Sequence, residues 1–188
     1  MNVLVGCEYS NIVSQAFRDR GHEVYSCDLD PSEGPEDYHF KGDIFDAIHL
    51  RSFWDLIILH IPCTYMAVSG NRWYASTPAR YEAVEWSEAV WNEAVGKSRS
   101  VALENPVSVF FSHMGGATQY IQPWMFGHPE SKKTGLLLYN LPKLKPTHER
   151  PEVIEERIWK MGPSPDRAKE RSRFFPGVAK AMAEQWGV

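Results

Sequence analysis

The chain has 188 residues, 43% hydrophobic and 23% charged, a balance that suits one globular domain with a full core and excludes disordered and fibrous classes. A formal net charge of −4 excludes any global attraction to nucleic acid, so phosphate contact would have to come from a local basic patch. Cys7, Cys27 and Cys63 lack C-x-x-C spacing, which excludes a disulfide framework and a structural zinc site and suits a reducing cytoplasm; the histidines show no ligand spacing, so no metal is expected.

Residues 2–5 form a short apolar run that meets Gly6, and 12–20 read as a helix with Ile12, Val13, Ala16 and Phe17 on one face. Leu4-Val5-Gly6-Cys7 looks like a lipoprotein cleavage box, but only three residues precede it and none is basic, so no export signal is expected. Gly21 closes the helix. Residues 22–28 resume an extended pattern ending in Asp28, and the right-handed crossover of such a βαβ unit brings Asp28 beside the Gly6 turn. Residues 32–41 are polar turn formers, Gly42-Asp43-Ile44 opens a short helix, and the apolar run 54–61 is a strand ending at Pro62-Cys63.

Residues 65–78 carry Gly70, Asn71, Arg72, Trp73 and Tyr74 and are expected to be a long functional loop. Over 79–95 the positions Ala83, Trp86, Val90 and Ala94 recur at helical spacing. Residues 100–103 are a strand closed by Glu104-Asn105-Pro106, an irregular stretch follows, 135–141 offers another strand, 152–161 a short helix, 162–165 a break and 178–186 a final helix. No stretch approaches the roughly 20 apolar residues that span a bilayer. The expected architecture is one doubly wound α/β domain over 1–188, soluble and cytoplasmic.

An open parallel sheet places its chemistry at the carboxyl ends of its strands, and two apolar runs here end in a thiol, Cys63, and a carboxylate, Glu104. Cys63 is either a buried core cysteine or a nucleophile at the rim; the polar Thr64-Tyr65 that follows favours the rim. Glu104 is too costly to bury without a partner. Gly6, Asp28 and Asp43 follow successive β elements, and Asp28 stands 22 residues after Gly6, near the separation of a ribose-binding acid, although an acid after a strand also serves as a helix cap. Glu8 in the glycine turn repels phosphate, which favours a phosphate-free or cationic cofactor.

At these residues the chain resembles the C5-cytosine DNA methyltransferase family, in which a Pro-Cys loop and a Glu-Asn motif carry catalysis. The likeness runs from Gly6 through Asp28, Gly42-Asp43-Ile44, Asp55 to Cys63 and Glu104-Asn105 to the closing segment Pro176-Gly177-Val178-Ala179-Lys180-Ala181-Met182-Ala183, and is strongest to small phage-encoded members. It implies a Rossmann-like S-adenosylmethionine-dependent methyltransferase domain and a host-cytoplasm location if phage-encoded. Cys63 would add to C6 of cytosine, and Glu104 would contact N3. Gly6, Cys7, Glu8, Asp28, Asp43 and Pro62 would line the site of S-adenosyl-L-methionine, whose sulfonium carries no phosphate.

The sequence departs from the family at the glycine motif, here Val5-Gly6-Cys7-Glu8-Tyr9-Ser10, at Ile61 in place of a first proline, and at Thr64 after the cysteine. Lys132-Lys133-Thr134 stands where the family carries an arginine pair, or is a solvated basic turn. A large target recognition domain is replaced by the basic irregular segment 142–175, with Lys143, Lys145, Arg150, Arg157, Lys160, Arg167, Lys169, Arg171 and Arg173 beside Trp159 and Phe174. That segment is either a phosphate-contact surface or a solvated basic face. A second subunit, as in a homodimer or a partner, would be another way to select a target. Arg72, Lys132, Lys133, Arg171 and Arg173 are the candidate DNA contacts; the aromatics near Arg72 would brace a flipped base or pack on the following helix.

Three rivals remain: C5 modification of a free pyrimidine nucleotide, with a folate one-carbon unit as donor; amino-methylation of adenine or of cytosine N4, whose motif places Asp or Asn before Pro-Pro and an aromatic, so that Ile61-Pro62-Cys63-Thr64-Tyr65 has the wrong first residue; and a catalytically silent DNA-binding protein on the same fold.

Overall fold

The computed structural model describes residues 1–162 and 167–188. Its centre is a seven-stranded sheet of β1 (Asn2–Gly6), β2 (Glu23–Asp28), β3 (His39–Lys41), β4 (Trp54–Leu59), β5 (Ser98–Pro106), β6 (Gln119–Ile121) and β7 (Thr134–Tyr139). The spatial order is β3-β2-β1-β4-β5-β7-β6. The first five strands are parallel, whereas β7 runs antiparallel between β5 and β6. Strand order reverses between β1 and β4, and such a switch point opens a crevice at the carboxyl ends of the two strands.

Each central strand is apolar on both sides because both faces of the sheet are covered. Alternate residues part cleanly: Val3, Val5, Leu56, Ile58 and Ala102 join one core with α1 (Ile12–Arg18) and α8 (Pro176–Trp186). Leu4, Ile57, Leu59, Val101 and Leu103 join the other with α2 (Ile44–Ile48), α4 (Pro78–Lys97) and α5 (Val109–His113). A fully buried Val, Leu or Ile contributes about 1.5–3 kcal/mol, so a one-residue slip of β4 or β5 would misplace several such contributions at once.

The structure corrects several sequence expectations. The loop expected over 65–78 contains a 3-10 turn, Val68–Gly70, and the short helix α3 (Asn71–Tyr74). It is tied down by the Arg80 guanidinium, which donates to the Tyr65 carbonyl at 2.8 Å and to Asn71 Oδ1 at 2.7 Å. Pro78 opens α4 at its first turn, where a missing N–H costs nothing. The inward face of α4 holds Arg80, Val84, Ser87, Val90, Trp91 and Ala94, so the expected stripe meets it at Val90 and Ala94, while Ala83 and Trp86 are partly buried and pack against the same core. The polar stretch 32–41 hides edge strand β3, and the irregular stretch after Glu104 holds α5, β6 and a 3-10 turn, Pro123–Phe126. The helix expected over 152–161 shrinks to α6 (Arg157–Lys160), followed by α7 (Arg167–Ser172). The break expected at 162–165 lies, from Pro163 onward, outside the described residues, as do the side chains of Trp159, Arg167 and Lys169.

Candidate active site

Register assembles the site. Gly6 pairs with Cys27 and with Leu59, and Leu59 pairs with Leu103, so these four form one row across β2, β1, β4 and β5. The next residue of each strand therefore forms the next row: Cys7, Asp28, His60 and Glu104. His60 and Glu104 share the parity of Ile58 and Ala102, so their side chains stand on the α1 and α8 face, where His60 Nδ1 lies 3.4 Å from Glu104 Oε2. The His60 N–H donates to the Gly6 carbonyl at 2.9 Å, carrying the pairing of β1 and β4 one residue beyond the strand ends.

The exits of β4 and β5 are sewn together. Asn105, fully buried, donates its side-chain N–H to the Ile61 carbonyl at 2.9 Å. Val68 N–H donates to Val107 O and Val109 N–H to Met66 O, both at 3.0 Å. The Cys63 carbonyl accepts from Met66 and Ala67, curling the chain directly after the thiol. Pro62 is exposed and Cys63 half-buried, while Glu104 is almost wholly buried.

Charge distinguishes the three free thiols. Burial, then Asp28, Cys27 and Asp43, pushes Cys7 far above the ordinary thiol range; burial with Asp28 and Asp43 pushes Cys27 up to about 12. Burial and the Glu104 charge also push Cys63 up, but there Lys132 and Arg171 pull down. Of the three, Cys63 alone is drawn toward thiolate by cations. Burial pushes the Glu104 carboxyl up too, yet a hydrogen bond from His60, the charge of Lys132 and the hydroxyl of Thr134 outweigh it and hold the group below the usual carboxylate range.

The sequence-predicted cofactor residues separate into different local duties. Gly6 packs against α2, since a Cβ there would meet Ile44 Cδ1 at 2.4 Å. Cys7 adopts φ 58°, a left-handed backbone that costs a non-glycine residue about 1–2 kcal/mol. Glu8 turns inward: Oε1 accepts from Val13 N–H at 2.6 Å, and Oε2 from Ser14 N–H at 3.1 Å and the Ser14 hydroxyl at 2.6 Å. The start of α1, where a phosphate would otherwise be attracted, is thus filled by the protein's own carboxylate. Asp28 is half-buried, its carboxyl pushed up mainly by burial despite accepting the Asp30 N–H at 3.0 Å. Asp43 is exposed and caps α2 through Phe45 N–H at 2.8 Å.

The predicted contact residues also differ in place. Lys132 enters the site, its Nζ donating to the Arg171 carbonyl at 3.0 Å, whereas Lys133 is exposed with its Nζ 4.5 Å from the centre of the Tyr120 ring. Arg72 is exposed and lies 4.9 Å over Trp73, itself 65% exposed. Arg173 is held by a bidentate pair with Glu33 at 2.8 Å for each bond. Sequence reasoning gave His60 no role, although its strand parity with Glu104 was the available signal, and named Asn105 beside Glu104 without its clamping amide, which no spacing reveals. It also missed a strap in which Ser172 meets Tyr9 at 3.2 Å and Arg173 meets Glu33, fastening the end of α7 across the loops that follow β1 and β2.

Beside Glu104, the residues Lys132, Thr134, Phe174, Phe175 and Val178 enclose only about 10 Å³, close to the room one water needs. A cleft of about 400 Å³ opens on the other side of Phe174 and Phe175, between Ile12 and the segment bearing Glu155, Arg157 and Arg173. Neither Cys63 nor Asp28 lines it.

No protein-family model matches the chain, and no curated protein does. Solved structures do. One is a candidate DNA modification methyltransferase encoded within an E. coli prophage, 12% identical, with a TM-score of 0.52 over 86% of this chain and 55% of that one. Another is the bifunctional kinase-methyltransferase WbdD, 12% identical, with a TM-score of 0.43 over 80% of this chain and 37% of that one. With the strand order above, the fold is a Rossmann-like methyltransferase fold. The chain spans about half the length of the prophage protein. Among the described residues no group of acids, histidines and cysteines is arranged to hold a metal, and no helix is long and apolar enough to cross a membrane.

Proposed function

We propose that this protein is an S-adenosylmethionine-dependent methyltransferase that acts on C5 of cytosine in DNA through a covalent Cys63–C6 adduct. The observation that carries the reading is the pairing of β4 with β5 at Leu59 and Leu103, which brings Cys63, four residues beyond β4, within reach of the charge of Glu104 on β5, with Lys132 acting on both. The Cys63 thiolate forms a bond to C6, the C5=C6 π pair moves to C4=C5, and the C4=N3 pair takes a proton at N3. Glu104 serves N3, and for that it must first become a carboxylic acid. Protonating Glu104 also removes the charge that holds the thiol up, so arming the acid favours the thiolate.

The residues fit the donor. Glu8 seals the anion seat at α1, which disfavours a dinucleotide, and Asp28 is a half-buried carboxylate with capacity left for ribose hydroxyls. Asp28, Asp43 and the backbone around Gly6, Cys7 and Pro62 would hold the donor. When bound, it supplies an electrophilic sulfonium methyl for C5.

DNA as substrate draws support from the exposed Arg72–Trp73 stack just beyond Cys63 and from what the prophage protein modifies. The water-sized space at Glu104 means that a flipped base must displace Phe174 and the Lys132–Arg171 contact. Lys133 and Arg171 are further phosphate contacts in this reading, whereas Arg173 serves Glu33. In place of a large recognition domain the chain has 142–175, which favours a short target or a second copy. The test is nucleoside mass spectrometry of duplex DNA and of deoxycytidylate after incubation with the donor. 5-Methylcytosine in DNA is expected, absent with Cys63→Ala; methylation that persists in that variant refutes the adduct, and product only in deoxycytidylate moves the substrate to free nucleotides.

A further inference from the structure

We infer that His60 is the positioning residue that loads the proton onto Glu104, an inference that rests on the reading of Glu104 as the acid for ring N3. The two side chains are register neighbours on one face, Nδ1 faces Oε2 at 3.4 Å, and the His60 backbone is fixed to Gly6 O. The ring lies 4.7 Å between centres from that of Phe174 and tilted 59° to it, the same phenylalanine that lines the space beside Glu104. Its other nitrogen, Nε2, is buried and has no hydrogen-bond partner in the protein among the described residues. An unpaired buried polar atom costs about 1–3 kcal/mol, and Nε2 is one of five such side-chain atoms among the described residues, with atoms of Arg80, Asn105, Ser108 and Glu130; of the five it alone belongs to a ring whose other nitrogen faces Glu104. An unfilled Nε2 opposite a filled Nδ1 is the arrangement a proton shuttle needs.

The charged and titratable groups around the pair are Lys132 just before β7 and Cys63 after β4, with Arg171 on α7 acting in turn on Cys63. Lys132 and the Thr134 hydroxyl favour the Glu104 carboxylate, so the acid form requires a donor held against it. In the step assigned here, Nε2 takes a proton from water admitted when Phe174 moves, and Nδ1 gives its proton to the Glu104 carboxylate. The ring is left neutral with its proton on Nε2, and Glu104 passes its O–H proton to N3 as Cys63 bonds to C6. The thiol's own proton leaves to solvent, so one proton is taken up and one released.

The test uses the full chain, tritiated S-adenosylmethionine and a mixed-sequence DNA duplex, with His60→Asn, which keeps a donor opposite Oε2 but cannot shuttle. Expected are unchanged donor binding, a roughly 100-fold fall in kcat at neutral pH, and a kcat whose dependence on pH differs from that of wild type. A kcat within threefold of wild type with an unchanged pH profile overturns the inference. A second arm needs no turnover: nitrogen NMR of His60 in the wild-type protein reads the tautomer, with the proton expected on Nδ1 and Nε2 bare, and a neutral ring protonated at Nε2 overturns the shuttle. If Glu104→Gln abolishes methylation while His60→Asn does not, the shuttle alone fails; if wild type methylates no DNA cytosine, the functional reading fails and the shuttle with it.

Discussion

Glu8→Gln tests the idea that the first turn has traded a phosphate seat for an internal cap. The carboxylate is 4% exposed and accepts three short bonds, from Val13 N–H, Ser14 N–H and the Ser14 hydroxyl, at the positive end of α1. Glutamine offers one acceptor oxygen, and whichever way its amide turns, its NH2 faces a backbone N–H. Leaving one buried N–H unsatisfied costs about 1–3 kcal/mol, and losing charge at the helix start costs about 0.3–1 kcal/mol more. The expected loss is about 3 kcal/mol, a large part of the 5–15 kcal/mol that holds a domain of this kind together. For a chain of this length that is a fall in Tm of about 6–12 °C. Urea unfolding and thermal melting of the two proteins measure it. A Glu8→Gln protein within about 0.5 kcal/mol of wild type would show that the bonds contribute little, and the argument that Glu8 excludes phosphate by occupying its place would fall with it.

How far the sequence could be read depended on whether the determining interaction was local. The β1–α1–β2 unit, β4 and α8 were legible because both faces of the sheet are buried, so their apolar runs are continuous and glycine or proline punctuates them. Strand β3 was not legible: three residues, His39–Lys41, pair along one edge of β2, with too few positions to show a period. The inward face of α4 was legible in its second half, at Val90 and Ala94, and not in its first, where Arg80 and Ser87 are buried, hydrogen-bonded to Tyr65 O, Asn71 and Ala83 O, because a hydropathy stripe cannot anticipate a buried arginine. Pro62 stops the apolar run of β4 just before Cys63, whereas Glu104 and Asn105, expected to close their strand at residue 103, lie inside β5, which runs on to Pro106 because β7 pairs with it there. His60 and Asn105 act across strands, so register was needed to see them. Arg173 looked available as part of a basic run; its partner Glu33 lies 140 positions away.

Asn105→Ala removes the bond to Ile61 O and strands that carbonyl, and should cost about 1–3 kcal/mol in urea unfolding with an unchanged m value. Gly177→Ala would bring a Cβ to 2.0 Å from the Phe126 backbone carbonyl, which cannot move as a side-chain tip can, so a loss of at least about 1–3 kcal/mol is expected; a neutral result in thermal melting would refute the close packing of α8 on that turn. Glu104 is held below the usual carboxylate range, so its contribution is present above the ordinary glutamate pKa and is lost as pH falls through the lower, folded value. The stability gap between wild type and Glu104→Gln should therefore be wider at pH 6 than at pH 3 in urea titrations, and a gap that widens toward acid contradicts the assignment. The sharpest test of the site's electrostatics is alkylation of Cys63 by iodoacetamide, followed by peptide mass spectrometry against Cys7 and Cys27. Thiolate is the reacting form, so rates report thiol ionisation. Cys63 should react before the other two, because only it has Lys132 and Arg171 drawing it down, yet more slowly than a free thiol because burial and Glu104 push it up. Each unit of pKa is a tenfold change in thiolate well below the pKa. Glu104→Gln should therefore speed the reaction at pH 8, and Lys132→Ala should slow it. Glu104→Gln is isosteric and Lys132→Ala removes bulk, so a rate set by access would be unchanged in the first and would rise in the second; a faster first and a slower second come from charge, and any other pattern would mean that the pairing of thiol and carboxylate on which the functional reading rests is not felt by Cys63.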